Sequence, residues 1–459
     1  MISPSGSHPD EARAFLDAHP DVEAIDILLT DLNGIGRGKT IRRHELLSIY
    51  ESGRHLPGSI LGLDICSEDV EETGLVWEDG DADRRAWPIP GTLTTMAWTT
   101  PRRAQVLLSQ YELDGSPSPA DPRHALARQT AALKAKGFGS VAAFEVEFYL
   151  LDPTDGPDGK PRPASFLLSG RSSRGTDVYS VEVLDEMTPL FADVYAGAKA
   201  MGLPLETLIS EYAPGQFELT LHHRPDVLKA ADDLILTKRL LRAVARRHGA
   251  QACFMAKPVA GYAGSGMHLH LSFTDTKGDN VFADVGDGLS TPLLHAIGGL
   301  KQTLPDSMAV LAPHSNSWRR FAANSYAPVS ATWGVNNRSV ALRVPAGSPK
   351  GRHLEHRVAG IDANPYLVAA LTVAGAVKGI DAGTDPGPAV TGNGYVQSSS
   401  VAIPADWRSA LDVMATSDFA ADALGARFRD VFVAVKRAEL ARTMREIPDI
   451  DYRLYRDIV

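Results

Sequence analysis

Between Ser140 and Asp152 the chain reads SVAAFEVEFYLLD, an apolar, aromatic stretch interrupted by two carboxylates, Glu145 and Glu147. As a strand, its alternation puts both acids on one face of a sheet. Charged side chains point into a folded interior only when they are paired or bound to a metal. The face is therefore either the wet side of a half-exposed strand or the floor of a site. The second reading requires further donors from distant segments.

Three other segments offer them. Glu211-Tyr-Ala-Pro-Gly-Gln-Phe-Glu218 sets two acids on either side of a Pro-Gly turn, so both can converge on one point; a surface loop reads equally well. In Gly261-Tyr-Ala-Gly-Ser-Gly-Met-His-Leu-His-Leu-Ser272, glycines let backbone approach a ligand closely. His268, His270 and Ser272 then share one strand face, suited to metal or phosphate, with a structural histidine pair as the other reading. The stretch from Asn336 to Arg357 carries Arg338, Arg343, Lys350, Arg352 and Arg357 around Glu355. Arginines at strand ends clamp carboxylate or phosphate, and a solvated basic face is the alternative. Together, several carboxylates and an imidazole suit magnesium or manganese, and the cations suit phosphate. Residue patterns alone stop at metal-dependent phosphoryl transfer.

The remaining features set bounds. Net charge is -10, from 56 acidic and 46 basic residues, which argues against a nucleic-acid or anionic-membrane partner. Two cysteines, Cys66 and Cys253, make neither a disulfide framework nor a zinc motif. The first residues lack a basic segment followed by an apolar core, and no apolar run approaches spanning length. A reducing cytoplasm is expected. Residues 11–20 read as a helix, and 22–34 as a strand ending in a turn at Asn33-Gly34. The glycines at 34, 36 and 38 do not match a dinucleotide fingerprint. Short strands continue to about 108, and the polar, Pro-rich segment 114–123 marks a boundary. Beyond it we expect helices at 122–137, 185–201, 225–248 and 405–446. Strands are expected at 205–221, 251–258 and 266–274, with a polar loop over 152–178.

FEVEFYLLD, EYAPGQFE, FMAKP followed by GSGMHLH, NSWRRF, NNRSVALR and LEHRVAGIDANPYLVAA resemble, in order, the motif series of the glutamine synthetase family. The resemblance implies an α+β fold. Residues 1–112 would form a β-grasp-like N-terminal domain, and 113–459 a catalytic α/β barrel of mainly antiparallel strands. It implies stacked rings, a dodecamer by analogy, with each active site between two subunits. Carried over by position, Glu147, Glu211 and Glu218 resemble the ligands of one metal, and Glu145, His268 and Glu355 those of a second. Arg320, Arg357 and Gly264 match glutamate-binding positions, and Ser59 lies in the segment that a neighbouring subunit would lend. Arg338 and Arg343 match phosphate-facing arginines; Glu206, His270, Ser272 and Lys350 match nucleotide contacts. The implied reaction consumes ATP to form γ-glutamyl phosphate, which an amine then attacks. Arg338, Glu211 and Tyr326 are the implied catalytic positions.

The departures narrow the amine. Tyr326 stands where glutamine synthetases have an acid that helps bind ammonium, Pro57 replaces an aspartate of the same pocket, and Ala263 replaces an asparagine. A desolvated ammonium needs charge partners, so this pocket should hold it poorly. These positions, with TDLNGIGRGK and VYSVEVLDE, look like the glutamate–polyamine ligase branch, whose type member makes γ-glutamylputrescine for polyamine breakdown. Asp177, Tyr179, Asp185 and Glu186 are candidates for contacting the amine; a solvated loop is the other reading for all but Tyr179. Ammonium, or a small monoamine such as methylamine, isopropylamine or ethanolamine, are the alternative substrates. The segment around Tyr395, GNGYVQ, does not reproduce the adenylylation motif of some glutamine synthetases.

Overall fold

The computed structural model describes residues 3–173, 175–286, 288–397 and 399–459. Six strands make a first sheet: β1 (Ala24–Thr30), β2 (Gly36–Arg42), β3 (Arg54–Pro57), β4 (Asp83–Pro88), β5 (Thr94–Met96) and β6 (Arg103–Tyr111). Their order is β2-β1-β6-β4-β3, with β5 also on β6. β1 and β6 run parallel, and the other pairs are antiparallel. The hairpin between β1 and β2 closes on the Asp31 carboxylate, which accepts from the Asn33 and Ile35 amides at 2.9 Å. A short acceptor that pins its own turn is the usual reason for aspartate there.

The second sheet contains β7 (Gly139–Leu151), β8 (Leu205–Ser210), β9 (Gln216–Leu221), β10 (Gln251–Cys253), β11 (Met267–Thr274), β12 (Trp333–Val335), β13 (Leu342–Val344) and β14 (Leu354–His356). The order is β12-β13-β14-β11-β7-β9-β8, with β10 on β7. In this sheet only β12 and β13 pair in parallel among the described residues. The α+β class and mainly antiparallel catalytic sheet expected from the sequence are both present. Phe144, Val146 and Phe148 of β7, with Phe217, Leu219, Leu269 and Phe273 of its neighbours, are fully buried on one face. Each such side chain contributes about 1.5–3 kcal/mol on burial. The helix Val227–Arg247 packs on that face. The opposite face carries the polar residues.

Several expected elements end elsewhere. The strand at 251–258 stops at Cys253, because the chain turns so that the Ala256 carbonyl accepts from the Ser265 amide at 2.8 Å. The region 185–201 is two helices, Val181–Glu186 and Thr188–Met201. Residues 405–446 form three, Trp407–Thr416, Asp418–Leu424 and Ala426–Arg445. The breaks fall at Ser417, whose hydroxyl caps Ala420, and at Gly425. Two core helices were not anticipated, Thr291–Leu311 and Pro365–Ala382. They meet at glycines: a methyl on Gly299 would sit 2.5 Å from the Gly379 Cα. By length and composition alone Pro365–Ala382 could cross a membrane, yet 67% of it is buried inside the fold, so it is a core helix.

Candidate metal and nucleotide site

Register assembles the site. In the antiparallel pairs, Glu145 lies opposite His268, Glu147 opposite Glu218, His270 opposite Glu355, and Glu355 opposite Arg343. Residues directly opposite share a face, so segments far apart in sequence deliver one patch of carboxylates and imidazoles. His268 Nδ1 lies 2.9 Å from Glu145 Oε2 and 3.7 Å from Glu355 Oε1; its Nε2 lies 3.9 Å from Glu147 Oε1. Two sets of three donor groups have ligand atoms within 4.8 Å of one another: Glu145, His268 and Glu355, and Glu147, Glu218 and His268. Glu211 belongs to neither set; its carboxylate accepts from the Tyr212 amide at 3.1 Å, at the end of β8.

The electrostatics divide this patch in two. Burial opposes the charge on Glu145, but contacts with His268 and His270 outweigh it and hold the carboxyl far below its ordinary range. Burial likewise opposes Glu355, and Arg357, His268 and His270 overcome it. Arg343 Nη1 is 2.9 Å from Glu355 Oε2, and Arg357 bonds Oε1. The other side is different. Burial and the charge of Glu147 push Glu211 up to about 7. Burial, with Glu145, Glu147 and Glu211 close by, pushes Glu218 well above the carboxylate range. Carboxylates that repel one another in a shielded place are the donor set a hard divalent cation fits.

This has a testable consequence. An unfolded glutamate titrates near 4.5. Between that pH and about 7, the metal-free fold keeps a proton on Glu211 that the unfolded chain has lost. The stabilising contribution is full below 4.5 and disappears as pH rises through about 7. A cation needs the ionised carboxylate and must expel that proton. The rise in melting midpoint on adding magnesium is therefore expected to be larger at about pH 8 than at about pH 6. Equal rises would remove Glu211 from the ligand set.

Other sequence-predicted residues fall around this centre. Arg320 is buried, donating to the Val358 carbonyl at 2.7 Å and the Arg357 carbonyl at 3.2 Å. It packs under Gly264 and Gly266: a methyl on either would lie under 3 Å from its side chain. The Gly264 carbonyl accepts from Gln216 Nε2 at 3.0 Å, and the Ala263 carbonyl from the Tyr149 hydroxyl at 2.7 Å. Arg338, in the loop between β12 and β13, lies near enough to Glu211 and Glu218 to favour their charged forms. The Asp177–Tyr179 loop is tied to the end of β8. The Tyr179 amide donates to the Ser210 carbonyl at 2.8 Å, and the Ser210 hydroxyl to the Asp177 carbonyl at 2.7 Å. That brings the loop beside Glu211. Tyr179 and Tyr326 both hold left-handed backbone, at φ 57° and 58°, and both rings are exposed. Bulky residues seldom sit there without a local reason.

One candidate is engaged elsewhere. Glu186 accepts from the Ser169 amide at 3.0 Å and faces Arg171 at 3.4 Å, so it holds its own loop together. Asp185 lies on the same short helix. Ser59 sits beside β4 in the first sheet, with Asp81 3.4 Å from its amide.

Glu206, His270 and Ser272 line a cleft of about 510 Å³ next to the metal-ligand patch, together with Thr220, His223 and His353. Lys350 borders it through Asn280, whose amide nitrogen donates to the Lys350 carbonyl at 2.9 Å. Sequence reasoning did not single out His223, Asn280 or His353. His353 Nε2 is 3.0 Å from His270 Nδ1. Its spacing of two from Glu355 was a usable signal for a shared face; nothing local marked His223.

Comparison with known proteins shows the family. A family model described as glutamine synthetase, catalytic domain, matches residues 119–455. The chain is 39% identical over 444 residues to γ-glutamylputrescine synthetase PuuA of Escherichia coli K12, covering 96% of this chain and 93% of that one. It is 28% identical over 457 residues to glutamate–isopropylamine ligase of a Pseudomonas species, covering 98% of each. Among solved structures, a GmaS/ADP complex matches all of both chains with a TM-score of 0.84 at 27% identity.

Proposed function

The chain belongs to the glutamine synthetase family, and from that premise we propose that it is an ATP-dependent ligase joining the γ-carboxylate of glutamate to an organic amine, putrescine or another polyamine. The observation that carries the reading is the meeting of two donor sets on one sheet face, flanked by a nucleotide-sized cleft. A relative 39% identical over nearly the whole chain bears the putrescine ligase name.

Glutamate is held by Arg320, Arg357 and the Gly264 backbone, and ATP lies in the cleft against Glu206, His270, Ser272 and Lys350. The γ-carboxylate attacks the γ-phosphorus, forming a carboxylate–phosphate bond and releasing ADP. Arg338 and Arg343 offset charge on the transferring group. Magnesium or manganese, held by Glu147, Glu211 and Glu218 and by Glu145, His268 and Glu355, would supply the remaining charge neutralisation. The amine enters beside Tyr179 and Tyr326, next to Glu211. Its nitrogen bonds to the γ-carbon as the C–O bond to phosphate breaks, and the surplus N–H proton passes to the departing phosphate or to solvent. Asp177, which accepts from the Ser173 hydroxyl, is the carboxylate on the same loop as Tyr179; Glu186, committed to Ser169 and Arg171, is the weaker candidate.

We take residues 1–112 as the N-terminal unit and 113–459 as the catalytic unit, and we infer a cytoplasmic homo-oligomer of stacked rings. Ser59 lies in a short 3-10 turn, Gly58–Leu61, just after β3 of the first sheet, and we assign it to the active site of a neighbouring subunit. The apolar residues Ile447, Ile450, Leu454 and Ile458 near the end of the chain are exposed, as a surface awaiting another copy would be. Both cysteines are free thiols, as a reducing compartment permits.

Phosphate release from ATP, with glutamate and magnesium, is the test. Putrescine or spermidine is expected to support it strongly and ammonium weakly. A preference for methylamine, ethanolamine or isopropylamine would keep the chemistry and change the amine; ammonium as best substrate would overturn the reading. In the same assay Tyr326→Glu is expected to raise kcat/KM for ammonium about tenfold, since an acid supplies the missing charge partner. No gain would show that Tyr326 does not decide the amine.

A further inference from the structure

Behind the catalytic sheet lies a second cavity, about 680 Å³, between the β1–β2 turn, the helix Val227–Arg247 and the C-terminal helices. Its polar lining is unbalanced. Lys238 is 6% exposed, and its ammonium donates to one acceptor, the Ile361 carbonyl at 2.8 Å. An ammonium has three donors, and a buried cation without a partner is costly. Arg242 lies over the Phe254 ring at 4.7 Å, with Lys238 5.2 Å from the same ring. Among the described residues no carboxylate bonds Lys238, Arg242 or the neighbouring Arg319 directly, although the charge of Asp362 reaches Lys238. Trp407, 5% exposed, also lines the cavity, and its indole Nε1 has no acceptor.

The acids at the rim are committed. Glu439 accepts from the Ile65 amide at 2.8 Å, from Asn33 at 3.2 Å and from Lys436 at 2.9 Å. Asp362 Oδ2 accepts from the Ser317 hydroxyl at 2.6 Å and lies 3.2 Å from His314 Nδ1, which leaves its buried Oδ1 unpartnered. Arg442 is neutralised by Asp64 and Glu68. Lys238, Arg242 and Arg319 are thus left without a bonded carboxylate, Lys238 buried and the two arginines exposed. An aromatic ring and an indole supply apolar wall.

We propose that this cavity is a second ligand site for a small oxyanion-bearing molecule, a carboxylate or a phosphate, held by Lys238, Arg242 and Trp407 Nε1. Burial and the adjacent Arg242 lower the Lys238 pKa to about 7; an anion beside it would restore the charge. Asp362 Oδ1 would accept from a hydroxyl or ammonium group of the same ligand.

The test uses the full-length enzyme with magnesium, and with glutamate and a non-hydrolysable ATP analogue saturating, so that the glutamate and triphosphate positions of the catalytic site are filled. Succinate and inorganic phosphate are titrated to millimolar levels while the melting midpoint is followed. At least one is expected to raise the midpoint by about 3 °C, and to bind about tenfold more weakly to Arg242→Gln and to Trp407→Phe. The first substitution removes an exposed charge, and the second keeps a smaller aromatic ring while removing the indole N–H, so both should fold and turn over normally without the anion. A response to phosphate alone or to succinate alone would assign the source of the oxyanion. No response to either, or equal responses in wild type and both variants, would overturn the proposal.

Discussion

Glu355→Ala is expected to lower turnover by at least ~10³-fold and to remove one of the two metal-binding events. Glu355 is fully buried. It lies 3.7 Å from His268, 2.9 Å from Arg343 and in direct contact with Arg357, and the charge of those neighbours holds it ionised. Removing it deletes a donor from the set Glu145, His268 and Glu355. It also leaves two buried guanidiniums without a counter-charge, which typically costs about 3–5 kcal/mol. The fold should therefore be weaker as well as inactive. Glu355→Gln separates these effects, because the amide keeps the volume and an acceptor while losing the charge. Calorimetry with manganese should show one class of site lost in both variants; urea unfolding should show the larger stability loss in alanine. Normal turnover in either variant would sink the assignment of this metal set.

The route to that cluster was only partly legible in the chain. Alternation in SVAAFEVEFYLLD was enough to put Glu145 and Glu147 on one face, because a strand has a period of two whatever it pairs with. The partners opposite them were not readable, since register between β7, β9 and β11 is set by packing and long connections. The division of donors shows the limit. The resemblance groups Glu147 with Glu211 and Glu218; in the metal-free fold His268 is also within reach of Glu147 and Glu218, while Glu211, close enough to feel the charge of Glu147, is pushed up to about 7. The helices Thr291–Leu311 and Pro365–Ala382 escaped for another reason. They are buried nearly all round, so no polar face marks a helical period, and Gly298, Gly299 and Pro305 read as breakers. Those glycines instead allow two helix backbones to touch. Glu186 looked like an amine ligand because it is acidic and near Tyr179; only the structure reveals that Ser169 and Arg171 occupy it.

Gly266→Ala is expected to leave the fold nearly intact and still cost about 10²-fold or more in turnover. The backbone of Gly266 does not lie in the left-handed region, so alanine is conformationally permitted. The added methyl, however, would lie 2.7 Å from Arg320 Nη2, 3.0 Å from His268 Nε2 and 3.4 Å from Glu147 Oε2. The Gly266 amide also donates to Glu147 Oε2 at 2.5 Å. One atom would thus press at once on the group assigned to glutamate, on the imidazole shared by both donor sets and on a carboxylate. Side-chain ends can yield by a few tenths of an ångström, so the protein should fold; the geometry for transfer cannot yield as far without loss. The apparent KM for glutamate should rise and manganese affinity should fall together, because Arg320 and His268 are displaced by the same methyl. If both stay within twofold of wild type while the protein folds, Arg320 and His268 do not work against each other across Gly266, and the glutamate pocket must lie further from the metal cluster than proposed.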